Sequence, residues 1–185
     1  MSVIMTVAEL RQYMETDVED QVLEAKLQAL ELLIRAHTNN NFQLRAFRAV
    51  AVSMADHELL CNGPVPFAVG DTLHITESEF MPDALVTVQS VSNGTLTVKE
   101  TVYDESGVVV TKVKYPNDVK MGVVNMLKWD MDNREKVGIQ SESISRHSVA
   151  YFDQTGANTV MGYPVALVGF LKPYMKARFG RGIRA

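Results

Sequence analysis

Cysteine is almost missing from this chain. Cys61 stands alone, so no intramolecular disulfide forms and no zinc site can be built from thiolates. A single cysteine of this kind reads as a small apolar side chain. The only base near it in sequence is His57, four residues earlier. Long apolar runs are missing too. None approaches the roughly 20 residues that a membrane-spanning helix needs, so no membrane partner is expected. Met1 to Met5 carries no basic cluster ahead of an apolar core, which argues against a signal peptide. There is no Gly-rich phosphate loop, no Gly-x-Gly-x-x-Gly, no His-Glu-x-x-His and no Gly-x-Ser-x-Gly. His37, His57, His74 and His147 fall in unrelated segments without ligand spacing, so each is expected to be structural or surface. Asp130, Asp132 and Glu135 resemble a metal cluster in composition only. Residues two apart on a helix point away from each other, and a solvated face is the expectation. Ser141, Glu142, Ser143, Ser145, His147 and Ser148 include hydrolase residue types but crowd a predicted hairpin without an oxyanion element. The expectation is therefore a protein without catalysis, cofactor or metal.

What is present is ordinary for a globular protein: 46% hydrophobic and 22% charged residues in a 185-residue chain. That length supports one sizeable core, or a core plus a small subdomain. The net charge of -4 argues against DNA binding by the whole chain. The charge is unevenly spread. Glu15, Asp17, Glu19, Asp20 and Glu24 cluster near one end, and no acid follows Asp153, where Lys172, Lys176, Arg178, Arg181 and Arg184 lie. Such asymmetry suits head-to-tail contacts between copies, or a basic segment docking on an acidic partner or DNA. Matching of helix dipoles explains it equally well.

The chain then divides by periodicity. Thr6-Val7-Ala8-Glu9 is a capping box for a short helix, and Thr16-Asp17-Val18-Glu19 repeats the device before a second helix running to about His37. Leu23, Leu27, Leu30 and Ile34 share one face of that helix. Ala25, Ala29 and Ala36 form another, open to a helix of this chain or of a neighbouring copy. From Arg45 the period shifts from 3.6 to 2. Six short strands are predicted before Lys114, including separate ones at Phe47–Val52 and Glu58–Cys61, with Asn93-Gly94 as a type I′ hairpin turn. In strand order the set is likened to a small Src-homology-3-like barrel. A third helix starts after Pro116 and ends at Gly138, with Val119, Val123, Val124, Leu127 and Met131 on one arc. A hairpin follows over 139–152. A last helix begins at Pro164 and is kinked or broken by Pro173. The fold class expected is α+β: a helical bundle core of about four helices with a β-hairpin, in segments 1–44 and 116–185, and an inserted small antiparallel β-barrel at 45–115.

Pro116-Asn117-Asp118-Val119 opening a helix, Asn133-Arg134-Glu135 near its end, Gly138-Ile139-Gln140-Ser141-Glu142-Ser143-Ile144 and then Ser148-Val149-Ala150-Tyr151 form a recognisable series. It resembles the head–tail connector (adaptor) proteins of long-tailed double-stranded DNA bacteriophages. The resemblance extends to residues 5–42 and to the helix from Pro164 to Phe179, and leaves the β region as an insertion. It implies a virion structural protein of the neck, present in the host cytoplasm during assembly. It implies a ring, usually of twelve copies, below the portal protein, extending the DNA channel and docking a stopper or tail-completion protein. Double-stranded DNA would pass through without sequence-specific contact. Contacts between copies are then expected at Val124, Met131, Arg134, Ile139, Ile144 and Tyr151. Contact with the portal or the DNA channel is expected at Lys172, Lys176, Arg178, Arg181 and Arg184. The alternative is a small-barrel module binding nucleic acid or peptide, fused to a helical oligomerisation unit.

Overall fold

The structure, a computed structural model, describes residues 4–81, 83–133, 141–144, 147–150 and 158–177. It is an α+β fold that divides into two compact units, Met1–Asn40 with Tyr115–Ala185, and Asn41–Lys114. The boundaries fall a few residues before the 45 and 116 placed from periodicity. The period switch at Arg45 lags the real start of pairing, because Gln43 already faces Val113 across a ladder.

In the first unit, helix α1 spans Val7–Leu10 and α2 spans Asp20–Thr38. The Thr6 hydroxyl accepts from the Glu9 N–H at 3.1 Å, as a capping box requires. The Glu9 carboxylate does not reach back to complete the box; it pairs with Lys120 at 2.9 Å. The second predicted cap is also different. Thr16 Oγ1 accepts from Val18 N–H at 3.2 Å, and Glu19 at the start of α2 offers no side-chain cap. Arg11 organises this corner instead, donating to the carbonyls of Thr16 and Val18 and to the Asp20 carboxylate. Leu23, Leu27, Leu30 and Ile34 of α2 are buried, as their 3.6 spacing implies. Helix α3 runs Asn117–Asn133 and buries Val119, Val123, Val124, Met126 and Leu127. Gly122 on α3 lies against the Phe170 ring, where a Cβ would overlap the ring edge. The C-terminal helix is broken, as a proline at 173 demands: α4 covers Val165–Val168 and a 3-10 turn covers Gly169–Tyr174. Strands β6 (Ser141–Ile144) and β7 (His147–Ala150) pair with each other, Ser141 opposite Ala150. Strands β8 (Thr159–Val160) and β9 (Tyr163–Pro164) form a second small pair.

The second unit is a closed antiparallel barrel of five strands, not six. Strand β1 runs unbroken from Gln43 to Cys61 and absorbs two of the predicted strands. It curves by a bulge at Asp56, whose φ of 51° lies in the left-handed region and where the register shifts on both sides. Its first half pairs with β5 (Val108–Val113) and its second half with β4 (Thr95–Glu105). One strand thus serves both sides of the seam and closes the barrel. With β2 (Thr72–Thr76) and β3 (Leu85–Ser92) the order is β1-β4-β3-β2-β5. The consecutive strands β1 and β2 do not pair with each other. The interior is filled from every strand, by Met54, Leu59, Leu73, Ile75, Val86, Val88, Leu96, Val98, Val108 and Val110. Asn93 and Gly94 have φ of 45° and 86°, the positive pair a type I′ turn needs.

Candidate interaction surfaces

Each predicted contact residue has a definite position or lies outside the described residues. Val124 is fully buried in its own unit, because it shares the inward arc of α3 with Val123 and Leu127. It is core, and a neighbouring copy cannot touch it while that unit stays folded. Met131 is half-buried, its sulfur accepting from the Thr16 hydroxyl at 3.8 Å. Ile144 ends β6, opposite His147. Arg134, Ile139 and Tyr151 lie outside the described residues. The alanine face of α2 is exposed at Ala25, Ala29 and Ala36, and Val22 and Leu32 extend it.

The basic segment is anchored at its start. The Tyr174 hydroxyl donates to the Asp118 carboxylate at 2.7 Å, a bond that raises the tyrosine above its ordinary pKa. The Asn40 side chain donates to the Tyr174 carbonyl at 3.1 Å and the Asn39 side chain to the Ala177 carbonyl at 2.9 Å. The Lys176 N–H donates to the Thr38 carbonyl at 2.8 Å. The end of α2 therefore grips the backbone and the start of α3 holds the Tyr174 side chain, while the Lys172 and Lys176 side chains are exposed. Arg178, Arg181 and Arg184 lie outside the described residues.

Asp130 corrects the expectation of a solvated acidic face. It is 8% exposed and accepts from Lys26 at 2.9 Å and from the Tyr163 hydroxyl at 3.3 Å. Position 130 continues the buried arc of Val123 and Leu127, so the acid is carried inward and a lysine from α2 meets it. Beside this pair a cleft of about 310 Å³ opens between Leu30, Leu127, Met161 and Tyr163. Trp129 packs on Tyr163 at 5.4 Å between centroids. Deeper in the unit, Tyr115 donates to Glu31 at 3.1 Å, and burial followed by the Glu31 charge pushes its hydroxyl far above the ordinary range. No spacing signal pairs residues 26 and 130 or 31 and 115, so these bonds were invisible in the sequence.

In the barrel, His74 is fully buried, held by Gln43 at 2.7 Å on Nδ1 and facing Asp83 at 3.0 Å from Nε2. Burial raises the Cys61 thiol pKa, which keeps it protonated and unreactive. The outer surface of the barrel holds a feature that sequence reasoning missed. Phe80 and Tyr103 are each 62% exposed and lie with ring centroids 6.2 Å apart. Phe80 sits in the loop between β2 and β3, and Tyr103 on β4. The Glu105 carboxylate pins that loop, accepting from Ser78 Oγ at 2.6 Å and from the Glu79 N–H at 2.8 Å. Those two bonds, the Ser78 one foremost, hold Glu105 below the usual carboxylate range. Ser78 in turn accepts from the Met81 N–H at 2.8 Å.

Among the described residues, no group of three or more metal-ligating side chains comes together, and no helix is long and apolar enough to cross a membrane. The chain matches no protein-family model and no curated protein.

Proposed function

We propose that this chain is a head–tail connector of a long-tailed double-stranded DNA bacteriophage. Its first unit would be the helical-bundle connector core, assembled as a ring below the portal. The barrel would be an added subdomain. The function is binding: many small interfaces, each weak alone, close into one ring.

One observation carries the reading furthest. The described residues of the connector-like series lie in α3, which starts at Asn117, and in β6 and β7, which form a two-stranded sheet. An isolated hairpin is marginal in water. Among the described residues no third strand joins the β6–β7 pair, and an open edge is a template for another strand or a neighbouring surface. A ring supplies such a neighbour to every copy. On this reading, segments 117–136 and 139–152 face adjacent copies through Met131, Arg134, Ile139, Ile144 and Tyr151. The segment with Lys172, Lys176, Arg178, Arg181 and Arg184 reaches the portal or the channel. The stopper or tail docks on the opposite side of the ring.

The nucleic-acid module is disfavoured by the barrel's own charge. Residues 41–114 carry five Lys/Arg against nine Asp/Glu, and a phosphate backbone is repelled by that excess.

Reconstitution tests the proposal. DNA-filled heads that carry the portal but lack this chain are mixed with purified chain and then with tails. Joining of heads to tails that requires the chain supports the connector. Joining that proceeds equally without it removes the function.

A further inference from the structure

The Phe80–Tyr103 pair has no structural reason to be exposed. Both rings are more than half open to solvent, whereas Phe42 and Phe67 of the same unit are buried and Phe47 is less exposed, with Lys112 over its ring. Their position is also fixed. The loop bearing Phe80 is latched to Glu105 and to Met81 through Ser78, and Met81 packs on the barrel core. An apolar surface that is rigid before binding loses little entropy when it is covered.

The charge around the pair is of one sign. Glu77 and Glu79 precede Phe80, Asp83 follows the same loop, and Asp104 is next to Tyr103; all four are exposed. The nearest base along β4 is Lys99, four residues from Tyr103. Exposed aromatic faces inside an acidic rim favour one chemistry, a cationic peptide. Arginine suits it best, since guanidinium stacks on a ring and hydrogen-bonds to carboxylates at the same time.

This chain contains such a peptide. After Asp153 there is no acid, and Lys172, Lys176, Arg178, Arg181 and Arg184 follow. Its backbone is gripped as far as Ala177. The eight residues beyond span at most about 28 Å when extended. We propose that the Phe80–Tyr103 face of the barrel docks the basic segment 172–185 of a neighbouring copy. The inference rests on the ring reading for the presence of a neighbour. The portal and the barrel are alternative partners of the same arginines, so the barrel holds the segment until the portal takes it.

Fluorescence anisotropy of a labelled 172–185 peptide tests the contact on the full chain. The acceptor is the chain bearing Arg178→Glu, Arg181→Glu and Arg184→Glu, so that the basic segments of other copies do not compete with the peptide. The peptide should bind it and weaken steeply with salt. Adding Phe80→Ala and Tyr103→Ala to the acceptor should weaken binding by at least about tenfold. A peptide with every arginine replaced by lysine keeps its charge and should also bind less well. Both rings are exposed, so their removal leaves the core intact, and an unchanged melting curve verifies this. Equal binding by the aromatic-to-alanine acceptor, or no binding at all, overturns the proposal. Portal-dependent binding of the Phe80→Ala/Tyr103→Ala chain to heads is scored separately. Its persistence alongside a failed peptide assay would remove this contact and leave the connector reading standing.

Discussion

The Glu105 carboxylate receives both the Ser78 hydroxyl, at 2.6 Å, and the Glu79 N–H, at 2.8 Å, and so ties the β2–β3 loop to the end of β4. These bonds favour the charged form and depress its pKa below the ordinary value of 4.5. The latch is therefore fully present above about pH 4.5 and is lost as pH falls through the depressed value. Amide exchange at Glu79 should be protected at neutral pH and should accelerate in acid beyond the intrinsic rate. Glu105→Gln should abolish that acid step and raise exchange at Glu79 by about tenfold at pH 7. Equal protection in the variant would mean that the loop is held by other contacts.

Gly94 has two reasons to be glycine and Gly63 has one. Both have positive φ, 86° and 93°. A Cβ on Gly94 would meet the Gly63 carbonyl oxygen at 2.7 Å and that of Cys61 at 3.0 Å, whereas one on Gly63 would meet nothing within 4 Å. Gly63→Ala should cost about 1 kcal/mol from backbone strain alone. Gly94→Ala should cost about 2 to 4 kcal/mol, because two backbone oxygens must also move. Urea unfolding of the two variants measures the difference.

Lys26 and Asp130 are unequal partners. The acid is buried and the lysine about one-third exposed. Lys26→Met should cost about 1 to 3 kcal/mol, since it removes the cation that meets a buried carboxylate. Lys26→Met combined with Asp130→Leu should recover most of that loss, because the buried carboxylate is removed together with its partner. Thermal unfolding of the single and double variants checks the order.

At Gly122 the helix propensity and the packing oppose each other. Alanine adds up to about 1 kcal/mol to a helix interior, but here its Cβ overlaps the Phe170 ring. Gly122→Ala should therefore destabilise the chain, and Phe170→Leu in the same chain should convert it to a gain. A double-mutant cycle by denaturant unfolding reads the coupling.

The parts of the fold that depend on local chemistry were legible in the sequence. The leucine spacing of α2, the valine arc of α3, the Asn93-Gly94 turn and the break of the last helix ahead of Pro173 are all written within a few neighbouring residues. The two short strands predicted on either side of Asp56 are one strand, because a bulge at a left-handed aspartate leaves no Gly or Pro to announce it. Strand order was not legible, since antiparallel neighbours are chosen by barrel closure and not by proximity along the chain. The burial of Asp130, the latch of Glu105 and the meeting of Phe80 with Tyr103 all join residues more than 20 positions apart. No periodicity reports such pairs. Val124 shows the converse limit: the helical arc marked it as apolar, but not which apolar face stays inside.

The connector account is tested most directly by co-sedimentation of the purified chain with DNA-filled heads that carry their portal, against heads without a portal vertex. Saturable binding of several copies per head, on portal-bearing heads only, is the result the account predicts. Binding indifferent to the portal, together with salt-sensitive binding to free DNA, would contradict it and place the chain among nucleic-acid-binding modules instead.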